Sequence, residues 1–113
     1  MYASLPAFAG ARLPVALYAF VALKYRYPLE RMLQSIDRHR AYLRVLHTEG
    51  KLIASGPFVP REGGALLLRV EEEAEIQSIV AKDPFQLEGL VDTTIHKWAP
   101  NIGVEGLDGL AAR

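Results

Sequence analysis

Three histidines, His39, His47 and His96, are the side chains of this chain that could carry a proton near neutral pH, and there is no cysteine to act as a nucleophile. His39 lies three residues after Ile36 and four before Leu43, on the flank of an apolar helical stripe where it is partly buried. Alone, it reads first as a structural, hydrogen-bonded histidine. A carboxylate beside it changes that reading, because it fixes the tautomer and stabilises the imidazolium, poising the ring to take or give a proton. Asp83 stands before Pro84 and has a plain role of its own, as the N-cap of a turn that opens on proline. Capping uses little more than one oxygen lone pair, so a second contact can coexist with it.

Other chemistries find less support. His39 and His47 are separated on one helix by about 12 Å at 1.5 Å per residue, too far for one ion, and His96 is alone on its strand. The lack of cysteine removes disulfides, iron–sulfur clusters and zinc knuckles. No glycine-rich phosphate loop, Gly-x-Ser-x-Gly or dinucleotide fingerprint appears, which leaves acid–base chemistry without a cofactor. Arg40 falls near the middle of the apolar helical face, where a guanidinium needs a carboxylate or bound anion, or else snorkels to the sheet edge. Ser55-Gly56-Pro57 reads first as a turn at a strand end. Its other reading is a cavity wall, with the glycine allowing close backbone approach and Ser55 offering a donor and an acceptor to a polar ligand. Phe58, Phe85 and Trp98 read as core or interface aromatics ahead of substrate platforms.

The elements that must position these residues can be traced along the chain. Residues 1–14, rich in Ala, Gly and Pro, suggest a flexible leader. Val15 to Leu23 is apolar on both alternating faces, a strand that must be covered on both sides. From Pro28 a helical spacing runs through Leu29, Met32, Leu33, Ile36, Leu43 and Leu46 to a stop at Gly50, predicting one long amphipathic helix. Lys51 to Phe58 and Ala65 to Val70 predict a hairpin turned by Gly63-Gly64. Glu71-Glu72-Glu73 marks the first turn of a second helix, with Ile76, Ile79 and Val80 as its buried stripe. Asp83-Pro84 opens a short turn closed by Gly89, and Leu90 to Trp98 is the last strand. Residues 101–113 form an extension, ordered or loose.

The order β-α-β-β-α-β is that of a ferredoxin-like plait, an α+β fold with two helices on one face of a four-stranded antiparallel sheet. Helices on one face leave the other apolar face of the first strand uncovered, and a second copy of the chain is the simplest partner, so a homodimer is expected. At 113 residues with half of them hydrophobic, the chain is one domain with a sufficient core. Thirteen basic residues balance thirteen acidic ones, which gives no field to attract nucleic acid or an anionic membrane. Arg12 followed by the apolar run Leu13 to Leu23 has the length of a signal-peptide core but no small-x-small cleavage site, and it is too short to span a bilayer. A buried strand is the preferred reading, and a cytoplasmic location is expected.

Two stretches carry a family likeness. One is the helical His39, then Leu43 and Leu46, Gly50, a short strand and the ending Ser55-Gly56-Pro57; the other is Asp83-Pro84-Phe85 with Gly89 and the final strand. In these, and in the order of elements from Val15 to Trp98, the chain resembles the YCII-related family. The resemblance implies a dimeric α/β barrel in which His39 and Asp83 meet beside a cavity as a catalytic pair, with Arg40, Ser55, Gly56, Pro57 and Phe85 as candidates for binding a small-molecule ligand. It includes an enzyme that eliminates chloride from a chlorinated hydroxyquinol. An arginine often stands three residues before that histidine in the family; here the position is Ile36, so any contact made by that arginine is absent or moved to Arg38 or Arg40. The resulting expectation is a small cofactor-independent lyase or isomerase acting on a polar or aromatic molecule. The alternative is a non-catalytic homodimeric module that binds a metabolite or assists a partner enzyme. A closed, dry His39 favours the module, and an open cavity lined by His39 and Asp83 favours the enzyme.

Overall fold

Alternation along the first strand sets the architecture. In the computed structural model, which describes residues 16–111, β1 (Leu17–Tyr25) turns Ala19, Val21 and Leu23 into the core and Phe20 and Lys24 to the opposite face. It lies in the middle of a four-stranded sheet of order β2-β3-β1-β4, with β2 at Leu52–Pro57, β3 at Gly63–Val70 and β4 at Val91–Trp98. Every neighbouring pair is antiparallel. This is the expected α+β plait, and the helices between β1 and β4 pack on the Ala19–Val21–Leu23 face. The leader expected over residues 1–14 lies outside the described residues. Among the described residues no helix is long and apolar enough to cross a membrane.

Three expectations need correction. The single long helix is two, α1 (Leu29–Leu33) and α2 (Ile36–Thr48), parted at Gln34 and Ser35. Tight bonds there, Gln34 N–H to Arg31 O at 3.2 Å and Ser35 N–H to Met32 O at 3.0 Å, overwind the turn. The buried Ser35 hydroxyl then donates to Glu88 Oε1 at 2.6 Å, and Arg38 pairs with the same carboxylate at 2.8 Å. Gly63 and Gly64 are not the hairpin turn but the first residues of β3; the chain reverses over residues 58–62. A Cβ on Gly64 would lie 2.7 Å from the Gly56 carbonyl oxygen, and one on Gly63 would collide with the Leu23 carbonyl, so close strand approach selects glycine at both. The second predicted helix begins later, as α3 (Glu73–Lys82), and the Glu75 carboxylate accepts from the Glu71 and Glu72 N–H groups at 3.0 and 3.3 Å.

The core joins Met32, Leu43, Leu46, Ile76, Ile79 and Phe85 from the helices to the inward residues of the sheet. On the opposite face the C-terminal extension is ordered as α5 (Val104–Ala111), whose Val104 and Leu107 cover Tyr18 and Ile53. Asp108 holds it there, accepting from Arg69 Nε at 2.8 Å and from the Tyr18 hydroxyl. Beyond the reach of α5, Phe20 and Trp98 remain 38% and 46% exposed.

Candidate active site

Asp83 enters the site through local chain chemistry. It follows α3 in an extended conformation and caps the short helix α4 (Pro84–Leu87), its Oδ1 accepting the Phe85 N–H at 2.9 Å while Pro84 supplies the first helical φ. The cap aims the carboxylate at α2. There His39, held by the helix that packs on the sheet, places Nδ1 2.8 Å from the same Oδ1. Both residues are buried, at 8% and 2% exposure. An oxygen that already accepts from a backbone N–H acts as the acceptor again, so Nδ1 donates and Nε2 is left with the lone pair of the neutral ring. Asp83 Oδ2 is buried without a hydrogen-bond partner.

Phe85 fixes the imidazole from its face. The two rings lie parallel, 4° apart with centroids at 3.9 Å, and Phe85 in turn meets Tyr25 edge-on at 6.2 Å. Rotation of the imidazole is therefore opposed by a hydrogen bond in its plane and a stack across it. Near the pair, Tyr42 donates its hydroxyl to the Ile79 carbonyl at 2.7 Å. Burial, reinforced by the charges of Asp83 and Glu49, pushes the Tyr42 phenol up to about 12.

A cavity of about 180 Å3 opens beside the ring, lined by His39, Arg40, Ser55, Gly56, Pro57, Phe85 and neighbouring apolar side chains, with Arg61 from the β2–β3 loop. All the residues expected around a ligand thus meet on one cavity except Asp83, which stands behind His39 rather than in the wall. Ser55-Gly56-Pro57 is not a turn. These are the last residues of β2, paired with Leu66, Ala65 and Gly64, and they form the wall as strand backbone. Phe85 touches the cavity but is 1% exposed, so it acts through the His39 ring more than as a platform of its own. Arg40 is not in the middle of the apolar face. It is exposed at the cavity margin, one residue round α2 from the buried His39.

The charged cavity residue that sequence reasoning missed is Arg61. It follows Pro60 in a five-residue reversal, and nothing in the spacing says on which side of the hairpin its side chain falls. Among the described residues no group of three His, Cys, Asp or Glu side chains converges as metal ligands would.

Residues 16–99 match the YCII-related domain. The chain belongs to the YCII-related family. No curated protein matches it. Among solved structures, a 5-chloro-2-hydroxyhydroquinone dehydrochlorinase of Burkholderia phenoliruptrix, determined in complex with 2,5-dihydroxybenzoquinone, is similar with a TM-score of 0.64 and 24% identity, over 75% of this chain and 95% of that one. That likeness is one of fold. In this YCII-related chain Ile36 lines the cavity three residues before His39, and Arg38 is turned away to Glu88, so of the two arginines offered as substitutes only Arg40 reaches the site.

Proposed function

We propose that this chain is a small cofactor-independent enzyme of lyase or isomerase type, moving a proton on a small polar or aromatic molecule through His39. The observation that carries this reading is the 2.8 Å contact between His39 Nδ1 and Asp83 Oδ1 at the wall of a cavity. With Nδ1 engaged, Nε2 is the nitrogen that takes the proton, and Asp83 stabilises the imidazolium that results. In a lyase reaction the electron pair of the broken bond to hydrogen forms the new double bond, and the leaving group departs with its own pair. The name of the dehydrochlorinase, similar in fold, supports that class, since its reaction removes hydrogen chloride.

The working unit in this reading is a homodimer, joined through the sheet face where Phe20 and Trp98 stay exposed beside α5. Leu17 to Leu23 is a central strand, which a cleaved secretory signal could not supply, and this supports a cytoplasmic location. One observation favours the non-catalytic module: Asp83 Oδ1 also caps α4, so the pair has a structural reason to exist.

The test is turnover. Wild-type protein is incubated in D2O with 5-chloro-2-hydroxyhydroquinone and with unchlorinated ring compounds, and chloride release and deuterium incorporation are followed. Turnover is expected, reduced about a hundredfold or more in His39→Gln, with Asp83→Asn lowering kcat further than it raises KM. No turnover across the panel, or full turnover in His39→Gln, overturns the enzyme reading.

A further inference from the structure

We propose that the cavity takes a small organic anion, a carboxylate or an ionised phenol, and that Arg61 binds its charge. This rests on reading the cavity as the substrate site, and it names the class of ligand. The charge arrangement carries the argument. Among the described residues, His39, Arg40 and Arg61 line the cavity and no carboxylate does, Asp83 being behind the imidazole. The shallow depression adjoining it across Arg40, Leu43 and Ser55 adds Arg44 and His47, again without an acid.

Ion pairing elsewhere makes this concentration meaningful. Among the described residues Arg26 pairs with Asp92, Arg31 and Arg38 with Glu88, and Arg69 with Asp108. The three remaining arginines, Arg40, Arg44 and Arg61, have no such ion pair, and all three surround this one opening. Among the described residues, a chain with no net charge has thus gathered its uncompensated guanidinium groups at a single place, which draws anions toward it.

Arg61 is the innermost candidate, less exposed than Arg40 or Arg44. Its Nε is buried and has no hydrogen-bond partner among the described residues, a costly state that is relieved when the side chain turns onto a ligand oxygen. Nε and a terminal nitrogen form one edge of the guanidinium, which matches the two oxygens of a carboxylate or the adjacent oxygens of a dihydroxy ring. The loop carrying it is fixed on both sides, by Phe58 N–H to Gly63 O at 2.8 Å and Tyr25 N–H to Glu62 O at 3.0 Å. Arg61 and His39 line one small cavity, so a monocyclic anion can touch both. The same guanidinium offsets negative charge that develops when His39 removes a proton.

Benzoate and its neutral isostere benzamide serve as probes, measured by calorimetry and by amide NMR shifts in wild type, Arg61→Gln, Arg61→Lys and His39→Gln. Benzoate is expected to bind at least about tenfold more tightly than benzamide and to shift the amides of Gly64 and Phe85. Arg61→Gln should lose that preference, Arg61→Lys should restore part of it, and His39→Gln should keep it within about threefold. Equal affinity for the two probes, or an unchanged preference in Arg61→Gln, overturns the assignment. Because binding in His39→Gln is read with proton transfer removed, a lasting benzoate preference without turnover counts against the enzyme reading alone.

Discussion

Asp83 meets two demands with one oxygen, and the two can be separated by substitution. Asparagine keeps an acceptor oxygen and is itself a good N-cap, so Asp83→Asn should hold the α4 cap and stay within about 1 kcal/mol of wild-type stability. Alanine removes the cap and leaves the buried Nδ1–H of His39 unpaired, so Asp83→Ala should lose about 2 kcal/mol or more in urea unfolding. Equal losses in both variants would show that the charge, rather than the acceptor, holds the region together. Tyr42 gives a pH test. Its phenol is raised from 10.0 to about 12 in the folded chain, so the folded state keeps the proton more tightly. The associated stability is complete below pH 10 and is lost as the pH rises through about 12. Thermal melts of Tyr42→Phe should show a shallower decline over that window, starting about 1 kcal/mol lower because the hydrogen bond to Ile79 is gone.

Strand contact dictates what the elements tolerate. The Cβ of Gly64→Ala would stand 2.7 Å from backbone, the Gly56 carbonyl oxygen, which no side-chain rotation can clear. This substitution should cost about 2 kcal/mol in chemical denaturation and spread β2 from β3, widening the cavity wall. Near-wild-type stability would mean the strands shift freely there. The same glycines mark where sequence reading runs out, because a tight turn and a close strand pairing both ask for glycine and look alike locally. The break at Gln34–Ser35 was hidden for a similar reason: Met32, Ile36, His39 and Leu43 keep a helical spacing straight through it. What the sequence did disclose was chemistry completed within a few residues, the Asp83–Pro84–Phe85 cap above all, together with strand alternation and the order of elements. His39 lies on the helix flank that its spacing from Ile36 and Leu43 predicts. Its partner came from family likeness, since a contact across 44 residues leaves no trace in local spacing. Arg61 and α5 lie beyond reach, the one because a loop side chain takes its direction from the hairpin, the other because Gly106 and Gly109 thin the helical pattern.

At the scale of the molecule, the proposed dimer rests on the sheet face opposite the core. α5 covers Tyr18 and Ile53 there and leaves Phe20 and Trp98 exposed. Sedimentation at micromolar concentration should give a dimer mass, and Phe20→Asp should shift it to monomer without loss of secondary structure, since that side chain faces away from the core. A monomer in wild type would refute the expectation. The Asp83 cap bears on how such a protein drifts over time. A lineage that gave up the proposed reaction would lose the need for His39 at once, yet would still require the aspartate to start α4. The acid would then outlive the activity, and a descendant carrying Asp-Pro-Phe but no helical histidine would be a relic of the fold instead of a working enzyme.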